Sequence, residues 1–164
     1  MVEVYDLDRR SLDEQERRTG TLLDVEPARV VSHDGDLLSI ETTLPTADAW
    51  PWFTDPALLS RWWVPEAATD IRTGGAYRFS WPEAGWTLTG TYLVVEPPHR
   101  LAFTWSWDHD DLPPRRVDVG FGGAEEASKV SIRHAYGNEE ERDGYRDGWL
   151  HFLGVLAETI GDDS

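Results

Sequence analysis

The sequence has no cysteine and only one lysine, Lys129, among its 164 residues. Without thiols, disulfides, thiolate metal sites and cysteine nucleophiles are all excluded. Long apolar runs are missing too, and nothing approaches the roughly 20 consecutive residues that a membrane-spanning helix needs. The first residues lack a basic-then-apolar signal pattern, so the expected location is the cytoplasm. Positive charge is scarce. Fifteen Lys and Arg stand against 31 Asp and Glu, a net charge of −16 that repels phosphate backbones and anionic lipid. Neither nucleic acid nor membrane is an expected partner. Internal repeats and low-complexity tracts are absent as well.

Against these shortages stand nine tryptophans. Trp joins a large apolar ring to a single N–H, so such a surplus belongs in a core or around a cavity. A chain of this length can bury one core without covalent staples. Residues 1–27 read as a charged arm. Within it, Ser11 and Glu14 have capping-box spacing, which predicts a short helix over Ser11–Arg18. Residues 28–164 read as one domain.

Apolar runs at Ala28–Ser32 and Leu37–Leu44 flank His33-Asp34-Gly35-Asp36, a hairpin signal. Thr46 is placed to cap a short helix reaching Phe53. Thr54 or Asp55 caps a second, with Pro56 in its favoured first position, and Trp62 and Trp63 fall toward its end. Being adjacent on a helix, one of them should be buried and the other should sit near a cavity mouth. Strands follow at Thr69–Arg72, Gly75–Trp81, Trp86–Val95, Leu101–Trp107, Val117–Phe121 and Val130–Tyr136, separated by Gly and Pro turns. Along Trp86–Val95 two alternations compete for the inner face: Trp86, Leu88 and Tyr92 against Leu93 and Val95. Last comes Asn138–Ile160, where Tyr145, Trp149, Phe152, Leu153, Leu156 and Ile160 share one helical face, with His151 opposite and expected to be exposed. The order is α+β: an antiparallel meander gripping a long C-terminal helix, with two short helices after the first strand region.

The run Thr54-Asp55-Pro56-Ala57-Leu58-Leu59-Ser60-Arg61-Trp62-Trp63 begins an ordered set of motifs. Gly74-Gly75-x-Tyr77-x-Phe79, Pro97-Pro98-His99-Arg100-Leu101-x-Phe103-Thr104-Trp105, Ile132-Arg133-His134-x-Tyr136 and Gly148-Trp149 continue it. Together they resemble the START-like (SRPBCC) superfamily, in the bacterial branch related to the activator of the 90-kDa heat-shock protein ATPase. The resemblance implies a helix-grip fold with a six- or seven-stranded antiparallel sheet, an apolar cavity beneath the terminal helix, and binding or processing of small hydrophobic molecules.

On that basis Trp81, Phe103, Trp105, His134, Tyr136, Trp149 and Phe152 are the candidate ligand-binding residues, the aromatic rings among them reading equally well as core packing. His134 shares a strand face with Val130, Ile132 and Tyr136. It is either a donor or base toward a ligand, or a core histidine hydrogen-bonded near Tyr136 or to a backbone carbonyl; the second is the simpler reading. No partner at triad spacing accompanies it, so no catalytic residue is assigned. The stretch Asp108-His109-Asp110-Asp111 lacks metal-loop spacing and reads as a solvated acidic loop. No metal and no cofactor are expected. The leading function is binding of a small hydrophobic or aromatic molecule by a monomer or homodimer. The alternatives are a polyketide cyclase or aromatase, with His134, Tyr136 and Arg78 as candidates, and a chaperone-directed module whose acidic surface suits a basic protein partner.

Overall fold

A computed structural model describes residues 27–163, so the arm and the helix expected at Ser11–Arg18 lie outside the described residues. Eight antiparallel strands form a single sheet in the order β1-β2-β8-β7-β6-β5-β4-β3. The strands are β1 (Arg29–Asp34), β2 (Leu37–Leu44), β3 (Glu66–Thr69), β4 (Ala76–Trp81), β5 (Trp86–Glu96), β6 (Arg100–Trp107), β7 (Arg115–Ala124) and β8 (Ala127–Ala135). Two short helices, α1 (Trp50–Thr54) and α2 (Pro56–Leu59), interrupt the sheet after β2, and α3 (Glu139–Asp163) follows it. The sheet therefore has eight strands rather than six or seven. The short third strand also lies earlier than the sequence suggested, at 66–69 instead of 69–72.

Turn chemistry places most of these elements. Asp34 pairs with Leu37, leaving Gly35-Asp36 as a two-residue turn whose first residue has φ 64, accessible to Gly without strain. Asp55 rather than Thr54 caps α2, accepting from the Ala57 N–H at 2.9 Å, with Pro56 in the first turn. Helix α1 starts at Trp50, not at Thr46, because Pro51 fits only in a first turn. At the head of α3, the Asn138 Oδ1 accepts from the Glu141 N–H at 2.9 Å, and Glu139, Glu140 and Glu141 complement the helix dipole.

The inner face of the sheet packs Leu38, Ile40, Leu44, Leu88, Leu101, Val117, Val119, Val130 and Ile132 under α3, which contributes Trp149, Leu153, Leu156 and Ile160. Alternation along β8 holds through Ser128, Val130, Ile132 and His134, all buried. On β5 each competing alternation holds only in part, with Trp86 of the first set and Leu93 of the second exposed. The strand shifts register between Tyr92 and Val94, so Leu88 and Tyr92 face inward before the bulge and Val95 pairs with Leu101 after it. Leu93 is left outside at 37% exposure. Gly90 leaves room on β5 for the Tyr77 ring to cross and donate from its hydroxyl to the Thr104 carbonyl of β6, at 2.6 Å. No helix among the described residues is long and apolar enough to cross a membrane.

Candidate functional site

Where the first half of α3 lies over the ends of β4, β5 and β6, the core gives way to a cavity of about 650 Å³. Its floor and walls are six indoles, from Trp63, Trp81, Trp86, Trp105, Trp107 and Trp149. Three of them meet in the depth of the site. Trp63 stacks on Trp105 with centroids 5.9 Å apart and planes 20° apart, and Trp149 leans on both at 5.3 and 5.8 Å. Trp81 and Trp107 pack against each other at 5.3 Å. Toward the mouth, Trp86 and Trp107 both contact the imidazole of His109, at 5.5 and 5.1 Å.

Helix α3 builds its side of the cavity from a stripe. Glu141, Gly144, Tyr145, Gly148, Trp149 and Phe152 recur at i, i+3, i+4, i+7, i+8 and i+11, and all line it. The core stripe of the same helix is displaced from this one, sharing Trp149 and continuing through Leu153, Leu156 and Ile160. The two glycines matter here. A Cβ at either position would meet nothing within 4 Å, so they widen the cavity. Each costs the helix about 1 kcal/mol relative to Ala.

Polar groups cluster at one edge. Arg115 of β7 grips Glu141 through two hydrogen bonds, Nε to Oε1 at 2.8 Å and Nη2 to Oε2 at 2.9 Å. Tyr145 donates to Glu141 Oε1 at 3.1 Å, and the Gly137 N–H to Oε2 at 3.2 Å. Burial pushes the Glu141 carboxyl up, but the Arg115 and Tyr145 hydrogen bonds outweigh it and hold it below the usual range. Burial first, then the neighbouring Glu141, with Asp110 adding to them, raises the Tyr145 hydroxyl well above its ordinary value. With the Glu141 side chain 7% exposed and that of Arg115 20%, an Arg115→Met substitution strands a nearly buried carboxylate. It should lower stability by roughly 2–4 kcal/mol in urea melts. Adding Glu141→Gln should recover part of the loss; an unchanged midpoint for Arg115→Met would show that the pair is immaterial.

His134 is wholly buried behind this edge. Its ring stacks on Tyr145 at 3.8 Å, and its Nδ1 accepts from the Trp149 indole N–H at 2.9 Å. That bond leaves the proton on Nε2, which has no hydrogen-bond partner among the described residues. Burial, reinforced by the charge of Arg115, lowers its pKa to about 3. The core-histidine reading fits, with a different partner: neither the Tyr136 region nor a backbone carbonyl, but Trp149.

Of the seven candidate residues, Trp81, Trp105, Trp149 and Phe152 line the cavity, while Phe103, His134 and Tyr136 do not. Phe103 packs edge-on against Tyr77 and Tyr92, and the Tyr136 hydroxyl donates across the β1–β2 turn to the Gly35 carbonyl at 2.8 Å. Trp62 and Trp63 are both buried, because α2 ends at Leu59 and the chain turns through them rather than continuing as a helix. Trp62 donates to the Trp52 carbonyl at 2.9 Å, inside the core, and Trp63 lines the cavity. His151 is half-buried against Phe152, not exposed. The acidic loop is only partly a solvent feature: Asp108 accepts from the Thr87 N–H at 3.0 Å, while His109, Asp110 and Leu112 form the outer wall of the site. The sequence pattern did not single out Trp107, Glu141, Tyr145 or the glycine pair as site residues, and it left open whether Trp62 or Trp63 faces the cavity. The spacing of Gly144 and Gly148 on the Trp149 side of a helix was the available signal.

The family described as "Activator of Hsp90 ATPase homolog 1-like protein" matches residues 43–161. Among solved structures, the chain is similar to DynU16, a protein of the dynemicin biosynthetic locus, with TM-score 0.70, 24% identity and coverage of 79% of this chain. It spans about half of DynU16, 49% of that chain. A protein from Rhodobacter sphaeroides aligns with TM-score 0.72 and 21% identity over 84% of this chain and 99% of its own. CalU16 from Micromonospora echinospora aligns with TM-score 0.66 and 22% identity over 84% and 88%. At such identities these likenesses speak for the helix-grip fold. No curated protein matches the sequence.

Proposed function

Because the chain belongs to the family of activator of Hsp90 ATPase homolog 1-like proteins, we propose that its cavity binds a small hydrophobic or aromatic molecule. The observation that carries this reading is the α3 stripe. A helix built only to fill a sheet's concave face gains from a side chain at every inward position. Here Gly144 and Gly148 leave two such positions empty, directly beside a ring of indoles. The space is that of a ligand site, about 650 Å³. A cyclase-like reaction finds less support. His134, the candidate base, is sealed behind Tyr145 and Trp149, and a pKa of about 3 makes it a poor proton acceptor near neutrality.

The test is a titration with 2-naphthol, a neutral aromatic probe, followed by calorimetry and thermal melts. Saturable binding is expected, with stabilisation of about 2.7 kcal/mol at a hundredfold excess over Kd. Gly148→Leu should abolish this binding while leaving the melting temperature equal or higher, since it fills the cavity and removes a helix glycine. No heat and no melting shift at saturating probe, or a Gly148→Leu variant that binds as before, would refute the reading.

A further inference from the structure

The electrostatics of the mouth narrow the ligand class, an inference that rests on the cavity being a binding site. The lining holds three carboxylates, from Asp110, Glu140 and Glu141, and neither Lys nor Arg. Among the described residues only Glu141 has its charge matched, by the bidentate bond to Arg115. Asp110 reaches in from the β6–β7 loop, and its one bond among the described residues is to the backbone N–H of Leu112, at 3.1 Å. Glu140 lines the site from the first turn of α3, exposed and with no ion pair among the described residues. The imidazole of His109 is the lining's only basic group, and Asp108 lies 3.7 Å from it.

The indoles point the same way. Two of the six indole N–H donors are already engaged, Trp81 with the Trp63 carbonyl at 3.0 Å and Trp149 with His134, and that of Trp105 is buried without a hydrogen-bond partner among the described residues. The ring faces of the lining offer an anion little, because the quadrupole makes them negative. The negative face of an indole quadrupole attracts a cation, and more strongly when water is excluded. Unmatched carboxylates around such rings add a field of the same preference. We propose that the site selects cationic aromatic or alkylammonium ligands over their neutral counterparts of equal shape.

Two isosteres differing only in N⁺ for C, (4-hydroxyphenyl)trimethylammonium and 4-tert-butylphenol, make the comparison at low salt by calorimetry. The ammonium compound should bind at least about fivefold more tightly. Half-molar chloride should shrink that ratio by screening the rim carboxylates. In the double variant Asp110→Asn/Glu140→Gln, the ratio should fall about threefold. Equal or tighter binding of 4-tert-butylphenol would overturn the charge preference and leave the cavity as a neutral aromatic site. A failure of both compounds to bind would overturn the preference together with the binding reading beneath it.

Discussion

Replacing Trp149 with alanine is expected to lower stability by about 3–5 kcal/mol, the range for a large aromatic removed from a packed interior. The residue is 3% exposed and touches Trp63 and Trp105 with its ring. It also supplies the N–H that satisfies His134 Nδ1, so truncation leaves a buried acceptor without its partner. Trp86→Ala is the natural contrast. That indole is 43% exposed at the mouth, and its loss should cost no more than about 1 kcal/mol. Urea melts of the two variants distinguish them; equal losses would mean that α3 is not seated on the sheet through Trp149.

Acid should destabilise the fold through His134, beginning before most carboxylates titrate. Its folded pKa of about 3 lies below the ordinary imidazole value near 6.5. In that interval the unfolded chain takes up a proton that the folded chain refuses, so stability is full above about pH 6.5 and falls as pH drops toward 3. The slope approaches about 1.4 kcal/mol per pH unit once the unfolded imidazole is mostly protonated. Glu141 and Asp118, whose carboxyls are held low by arginine partners, add their own loss only at more acid pH. His134→Gln can still accept from the Trp149 indole and does not titrate, so its stability between about pH 6 and 5 should be nearly flat. Denaturant midpoints measured across that range check the claim. A wild-type profile as flat as that of the variant would show that His134 is not buried in the neutral form.

The strand pattern was legible wherever alternation and turn residues agreed, as in the β1–β2 hairpin at Gly35 and the inward run from Val130 to His134. It became ambiguous on β5, because a bulge between Tyr92 and Val94 changes which residues face inward, and no local composition marks it. The face of α3 was readable as one apolar surface, but not as two stripes with different neighbours. Tyr145, Trp149, Leu153 and Ile160 all follow helical spacing. Only the end of the sheet determines that the first half of the helix overhangs a cavity and the second half rests on side chains. Glycine, which shapes the cavity by what it omits, contributes nothing to a search for apolar periodicity. The division between Trp62 in the core and Trp63 at the cavity is as expected, but Trp63 lies deep rather than at the mouth, because these residues form a turn and not a helix. His134 was placed on the correct face from its strand alone, while its partner lay 15 residues away on another element.

The order of strands also bears on how the chain is made. Strand β2 pairs along its whole length with β8, Leu37 to Ala135 through Leu44 to Ser128, so the seam one strand in from the β1 edge closes across some ninety residues of intervening chain. During synthesis the β1–β2 hairpin leaves the ribosome before the other strands and then waits, with Leu38, Ile40 and Leu44 uncovered, until β8 has emerged. Within the β4-β5-β6-β7-β8 meander each strand pairs with its neighbour in sequence, so the meander can assemble in order before β8 takes up β2. Closing the long seam carries the larger loop entropy, and the helix that covers it is translated after every strand of the sheet. The early hairpin is therefore the segment most in need of a holding chaperone on the nascent chain.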